Sequence, residues 1–173
     1  SRVAKMDKWG NWLGTWGSYG REDGQLRLPH NLQVDRAGNV YVADRSNRRI
    51  QKYDSEGRLL KTILLNVPYD KNMQPVLGNK NPNLPDNTAP WALCISGGET
   101  QYLFAADEIP GRIYKLTLDG EILGWFGESG RGPGQFNWMH GISCRDENVL
   151  FVADMNNWRV QKLLLNQTGR TSD

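Results

Sequence analysis

The chain has 173 residues, enough for one domain with a real core, and its 38% hydrophobic and 23% charged content suits a globular rather than a disordered protein. A net charge of +2 is too small to argue for nucleic acid or an anionic membrane as partner. No apolar run approaches the length of a membrane span and no signal peptide is recognisable, while the lack of a starting Met suggests a processed or partial product.

Short β segments repeat along the chain. It opens on Arg2-Val3-Ala4-Lys5-Met6 and Trp9-Gly10-Asn11-Trp12-Leu13, a copy without its first half. The next copy runs from Gly24-Gln25-Leu26-Arg27-Leu28-Pro29-His30-Asn31-Leu32 through Val40-Tyr41-Val42-Ala43-Asp44 to Arg49-Ile50-Gln51-Lys52-Tyr53 and Glu56-Gly57-Arg58-Leu59-Leu60. Leu103-Phe104-Ala105-Ala106-Asp107, Arg112-Ile113-Tyr114-Lys115-Leu116 and Asp119-Gly120-Glu121-Ile122-Leu123 form the copy after it. The last reads Gly134-Gln135-Phe136-Asn137-Trp138-Met139-His140-Gly141-Ile142, then Leu150-Phe151-Val152-Ala153-Asp154 and Arg159-Val160-Gln161-Lys162-Leu163.

β-Branched and aromatic residues fill these segments, Gly-containing turns separate them, and no helical period appears. Four-stranded units at such spacing read as propeller blades. The expected fold is all-β: a propeller of four-stranded blades, of which this chain supplies about half of a six-bladed ring. The expected division is the end of one blade at 1–20, a blade at 21–65, an inserted Pro-, Asn- and Gly-rich loop at 66–90, a blade at 91–127 and an incomplete blade at 128–173. An open arc exposes sheet edges and core, so the remaining blades, or another chain, are the expected partners.

His30 and His140 are the only histidines, and they occupy the same position in two copies, each fourteen residues before the repeated aspartate. The intervening copy has Pro90-Trp91-Ala92-Leu93 there. Innermost strands point their first residues at the central channel, so imidazoles on alternate blades converge on one axis, which suggests a shared site. The bland alternative is that both merely line the channel. Asp44, Asp107 and Asp154 recur in every copy, including the one without histidine, and read as structural, bonded to backbone and paired with Arg49, Arg112 and Arg159.

With its G-Q-[LF] lead, V-A-D strand and N-x-R-[IV]-Q-K strand, the pattern resembles NHL repeats, and within them the peptidyl-α-hydroxyglycine α-amidating lyase family. The resemblance implies an axial zinc held by three histidines on alternate blades, His30 and His140 being two of them. It also implies a C–N lyase that releases glyoxylate from a peptide substrate, and an extracellular or periplasmic location. The family's catalytic tyrosine lies just before a segment resembling Ser1-Arg2-Val3, hence outside this chain, and its catalytic arginine has no assigned counterpart. Gly141 stands where family members often carry an acidic residue linked to calcium, which counts against calcium. A non-enzymatic NHL scaffold binding a protein, glycan or assembly partner is the competing reading. A gluconolactonase-like hydrolase is weaker, since that family uses acidic and amide ligands.

The remaining features read as structural. The family's disulfides do not map onto Cys94 and Cys144. When the copies are aligned, the two cysteines differ by one position, which sends them to opposite sheet faces, so two buried or semi-buried free thiols are expected. Trp9, Trp12 and Trp16 are expected to pack between blades. Arg45-Ser46-Asn47-Arg48-Arg49 has two readings, a basic cluster that meets an anionic group near the channel mouth and a solvated loop, the latter being the expected one, and Asn166-Gln167-Thr168 fits the N-glycosylation pattern.

Overall fold

The computed structural model describes residues 1–71 and 87–165. Its strands are β1 (Val3–Met6), β2 (Trp12–Trp16), β3 (Pro29–Val34), β4 (Val40–Asp44), β5 (Arg49–Tyr53), β6 (Leu59–Ile63), β7 (Pro90–Ile95), β8 (Tyr102–Asp107), β9 (Ile113–Thr117), β10 (Ile122–Phe126), β11 (Glu128–Ser129), β12 (Gln135–Phe136), β13 (Met139–Asp146), β14 (Val149–Asp154) and β15 (Arg159–Leu164). They form antiparallel meanders: a four-stranded sheet β3-β4-β5-β6, a second β7-β8-β9-β10, a three-stranded sheet β13-β14-β15, and the pair β1-β2. A short parallel pair, β11-β12, joins the second blade to the third. This is a propeller arc of four-stranded blades, about half of a six-bladed ring. Among the described residues no helix is long and apolar enough to cross a membrane.

The blades stack face to face. On one face of the first, Tyr41, Ala43 and Ile50 pack against Leu93, Leu103, Ala105, Tyr114 and Leu116 of the second. On the far face of the second, Cys94, Phe104, Ala106 and Ile113 meet Cys144, Leu150 and Val152 of the third. Val3 and Trp16 of the opening pair pack on Val40, Val42 and Tyr53. Turn glycines make this close approach possible. A Cβ on Gly57, at a left-handed φ of +82°, would sit 2.6 Å from the Trp16 ring, and one on Gly120, at +85°, 2.6 Å from Ile63.

The same face of the third blade is open. Phe151 and Val160 occupy the positions of Tyr41 and Ile50 in the first blade and Phe104 and Ile113 in the second. All four of those are fully buried, whereas Phe151 is 44% and Val160 68% exposed. Of the connection expected at 66–90, residues 72–86 lie outside the described part; Thr88 is buried and Pro90 already begins β7. The Asn166-Gln167-Thr168 motif also lies outside the described residues.

Two expectations are corrected. Cys94 and Cys144 are not free thiols but a disulfide, with Cα atoms 5.9 Å apart. The one-residue offset does send them to opposite faces: Cys94 pairs across its sheet with Phe104, and Cys144 with Leu150. Because blades stack, the far face of one sheet meets the near face of the next, so opposite parity is what lets neighbouring blades be bridged. Trp9 and Trp12 do not pack between blades; they are 75% and 52% exposed. Trp9 sits in the turn closed by the Gly10 N–H donating to the Asp7 carbonyl, at 3.1 Å. Trp16 alone takes the expected role, its ring 6.1 Å from that of Tyr53.

The bridge closes a loop spanning a sequence separation of 50. In denaturant titration Cys144→Ser should lower stability by about 2–4 kcal/mol. Reductant should do the same to the wild type and nothing to the variant; equal midpoints for all would contradict a stapling role.

Candidate functional site

A β-bulge places each residue of the histidine register. Pro29 pairs with Asp44 and Asn31 with Ala43, leaving His30 as the extra residue. Trp91 is extra between Pro90 and Ala92, and His140 between Met139 and Gly141. A bulge frees one side chain from the alternation of the strand and re-aims it. The two imidazoles meet edge to face with centroids 5.0 Å apart; Trp91, from the blade between them, lies 4.7 Å from His30 and 5.5 Å from His140. Trp138 extends the wall, 5.7 Å from Trp91.

His30 Nδ1 lies 2.8 Å from the Trp91 carbonyl, which can only accept, so Nδ1 carries the proton and Nε2 keeps its lone pair. Burial lowers the His30 pKa; the Trp91 carbonyl opposes this, while His140 and Arg45 reinforce it. A neutral imidazole with Nδ1–H on a carbonyl is the usual state of a metal-ligating histidine. The ring of His140 is exposed. Among the described residues no group of three His, Cys, Asp or Glu side chains surrounds a common point, so this chain's described part offers two imidazoles and no third ligand.

The approach to each histidine is held by a buried aspartate. Asp44 accepts from the Arg27 backbone N–H at 2.7 Å, from Asn47 and Arg49 at 2.8 Å each, and from Gln51 at 3.2 Å. Arg49 and Gln51 in turn donate to the Gln25 carbonyl, and the Gln51 side-chain oxygen accepts from Gly24 N–H. The third blade repeats this. Asp154 accepts from Asn137 N–H, Asn157, Arg159 and Gln161, and Arg159 and Gln161 donate to the Gln135 carbonyl. These clamps hold Leu28 and Trp138, each two residues before its histidine, at left-handed φ of 56° and 64°. Non-glycine residues adopt that region only when their surroundings enforce it.

The middle blade lacks histidine, and its aspartate is wired differently. Asp107 accepts from Gly111 and Arg112 backbone N–H groups and from the Tyr114 hydroxyl. The expected Asp107–Arg112 side-chain pair is therefore absent, unlike Asp44–Arg49 and Asp154–Arg159. Tyr114 stands where the other blades have glutamine, and the Arg112 guanidinium instead donates to the Pro68 carbonyl and stacks on Trp125. Without a guanidinium, burial pushes the Asp107 carboxyl up to about 6 against those hydrogen bonds.

The basic segment at 45–49 is not a solvated loop either. Arg45 lies 3.7 Å over the Trp91 ring and 3.7 Å from Glu108, Arg48 donates to the Asn87 carbonyl, and Arg49 is buried on Asp44. Trp91, Arg45 and Glu108 thus belong to the site although none was picked as a site residue from sequence. The available signal was internal: the residue after the repeated aspartate changes from Arg45 to Glu108 to Met155 while the aspartate itself does not.

Comparison with known proteins agrees with this architecture. The NHL repeat family model matches residues 26–53, which span His30, Asp44, Arg49 and Gln51. This chain carries an NHL repeat. Human NHL repeat-containing protein 3 is 32% identical over 156 residues, covering 81% of this chain and 42% of that protein. Mouse peptidyl-glycine alpha-amidating monooxygenase is 27% identical over 140 residues, covering 78% of this chain and 13% of that protein. The chain spans less than half the length of these curated relatives. Among solved structures, virginiamycin B lyase from Staphylococcus aureus superposes with a TM-score of 0.56 at 13% identity, covering 94% of this chain and 48% of that one, a likeness of fold.

Two substitutions separate the aspartates. Asp44→Ala strands the buried Arg49 guanidinium and should cost about 3–5 kcal/mol in denaturant titration; a loss under about 1 kcal/mol would contradict the clamp. Asp107→Asn should change stability in a pH-dependent way. With its folded pKa raised from 3.8 to about 6, Asp107 favours the fold at low pH, and that contribution is lost as pH rises through this window. The variant should therefore gain on the wild type by up to about 2–3 kcal/mol between acid and neutral pH. A difference constant with pH would contradict the assignment.

Proposed function

We propose that His30 and His140 are two of three imidazoles of an axial zinc site in a propeller lyase of the peptidyl-α-hydroxyglycine amidating type. The observation that carries the proposal is the convergence of both rings to 5.0 Å from bulges on alternate blades. The donor set fits: His30 is held neutral with Nε2 free, and a carbonyl on Nδ1 fixes the ring. Three imidazoles and an open position suit catalytic zinc. The third would come from blades outside this chain, in the same polypeptide or another, which would also cover the open face of the third blade.

Zinc bound there supplies a Lewis acid that polarises a substrate oxygen. Within this chain, the Trp91 carbonyl orients His30, and Trp91 with Trp138 forms an apolar wall that limits water. The reaction is cleavage of the C–N bond of a carbinolamide: a base takes the hydroxyl proton, that O–H electron pair forms the C=O of glyoxylate, the C–N pair leaves on nitrogen, and a proton delivered to that nitrogen gives the peptide amide. The base would lie outside this chain, as the third imidazole does. The Cys94–Cys144 disulfide supports a location in an oxidising compartment, extracellular or periplasmic.

A second reading, a non-enzymatic NHL scaffold, is favoured by the open apolar face around Phe151 and Val160. Zinc content and glyoxylate release from a peptidyl-α-hydroxyglycine, measured on the intact protein carrying this chain, separate the two. The lyase reading expects about one zinc per ring, and His30→Ala or His140→Ala should weaken zinc binding more than about tenfold and abolish glyoxylate release. Zinc without glyoxylate release would leave the site and sink the lyase. Unchanged zinc binding in both variants would sink the site.

A further inference from the structure

His30 and His140 are held in different ways. Where the first blade meets the second, hydrogen bonds cross between the innermost strands β3 and β7. His30 Nδ1 lies 2.8 Å from the Trp91 carbonyl, and the Leu93 N–H donates to the Asn31 side-chain oxygen at 3.2 Å. Where the second blade meets the third, Trp91 and Ala92 take the places of His30 and Asn31, and Ala92 has no side-chain acceptor to offer the Ile142 N–H. Among the described residues no hydrogen bond joins β7 to β13. The nearest ties lie past the cysteines, far from His140: Gly97 N–H donates to the Arg145 carbonyl at 3.2 Å, and Lys115 to Glu147 at 3.1 Å.

The Cys94–Cys144 disulfide fills this gap. Cys94 stands where the first blade has Gln33 and the third Ser143, and Cys144 where the first has Val34 and the second Ile95. Both cysteines are buried, on the same strands as Trp91 and His140 and within one strand length of them. Around the bridge the two blades meet through apolar side chains, Ala92, Phe104 and Ile113 with Met139, Leu150 and Val152. The Trp91–His140 ring contact, at 5.5 Å, is of the same kind. Apolar burial favours contact but has no direction, so it does not by itself fix how one strand sits along the other.

We propose that the Cys94–Cys144 bridge positions His140 in the axial cluster, doing across the second junction what the Trp91 carbonyl and Asn31 do across the first. Disulfides span a narrow range of Cα separations, here 5.9 Å, so β13 cannot slide freely past β7 while the bridge holds. The His140 ring therefore keeps its register against Trp91 and His30. A metal ligand has to be held within about 0.5 Å of its working position, a precision that non-directional contacts do not supply. The bridge is thus more than a stability staple. Its value for metal binding rests on the proposed zinc site, whereas its effect on ring geometry does not.

The test is nuclear Overhauser contact among the ring protons of His30, Trp91 and His140, in the metal-free intact protein carrying this chain. Wild type is compared with the double variant Cys94→Ser, Cys144→Val, residues that other blades carry at these positions, and with wild type reduced by a dithiol. Breaking the bridge should abolish the contacts of His140 with Trp91 and His30. It should leave the His30–Trp91 contact intact, with the backbone spectrum of the first blade still that of folded protein. Zinc titration of the bridge-free protein should show an affinity weakened about tenfold or more. A merely structural bridge would lower stability and leave all three ring contacts in place. That result, or an equal loss of the His30–Trp91 contact in folded protein, would overturn the proposal. If the double variant does not fold, the reduced wild type decides by the same two outcomes. Oxidised protein that shows every ring contact but takes up no zinc would sink the metal site, and the ring contacts would still decide the role of the bridge.

Discussion

A carboxylate with no exposure to solvent must find partners for its oxygens within the fold, and in two blades of this chain that demand organises everything around it. Asp44 and Asp154 gather the donors of an Asn, an Arg and a Gln from the following turn and strand, and one backbone N–H from the preceding loop. The Arg and Gln then reach the Gln25 or Gln135 carbonyl, so the loop before the innermost strand is tied to the strand after it. The aspartate is not placed to do chemistry. It fixes the stretch from which the histidine emerges, including the left-handed residue two positions earlier.

The middle blade shows what happens when the network is altered. Tyr114 replaces the glutamine, Gly111 and Arg112 backbone groups fill the carboxylate, the residue before the bulge is not held left-handed, and tryptophan replaces histidine. The bulge itself survives in all three blades. Aiming a side chain at the axis is therefore a property of the propeller. Aiming an imidazole there goes with the complete Asp-Asn-Arg-Gln network.

Repeats made the blades, the strand order and the alternation of histidine with tryptophan legible in the sequence, because each blade satisfies the same packing and the same aspartate. What repeats do not encode was harder to read. The Cys94–Cys144 bridge depends on how one blade's far face meets the next blade's near face, a relation invisible within a single unit. The exposure of Trp9 follows from a turn tip, and that of Phe151 and Val160 from a face no other blade of this chain covers. Arg45 and Glu108 come from different blades and meet only after folding, so their pairing was not legible in the sequence, where the Arg45 cluster was read as a solvated loop in preference to an anion contact. Asp107 kept its place in the repeat but lost its guanidinium through a substitution seven residues away, at Tyr114.

The functional account rests on whether the two converging imidazoles share one ion. Anomalous diffraction across the zinc edge, on crystals of the intact protein carrying this chain, asks this most directly. The account predicts one anomalous peak with His30 Nε2 and a His140 ring nitrogen each about 2.0–2.1 Å away. Fully loaded protein with no peak between these rings, or with zinc held elsewhere, would contradict it.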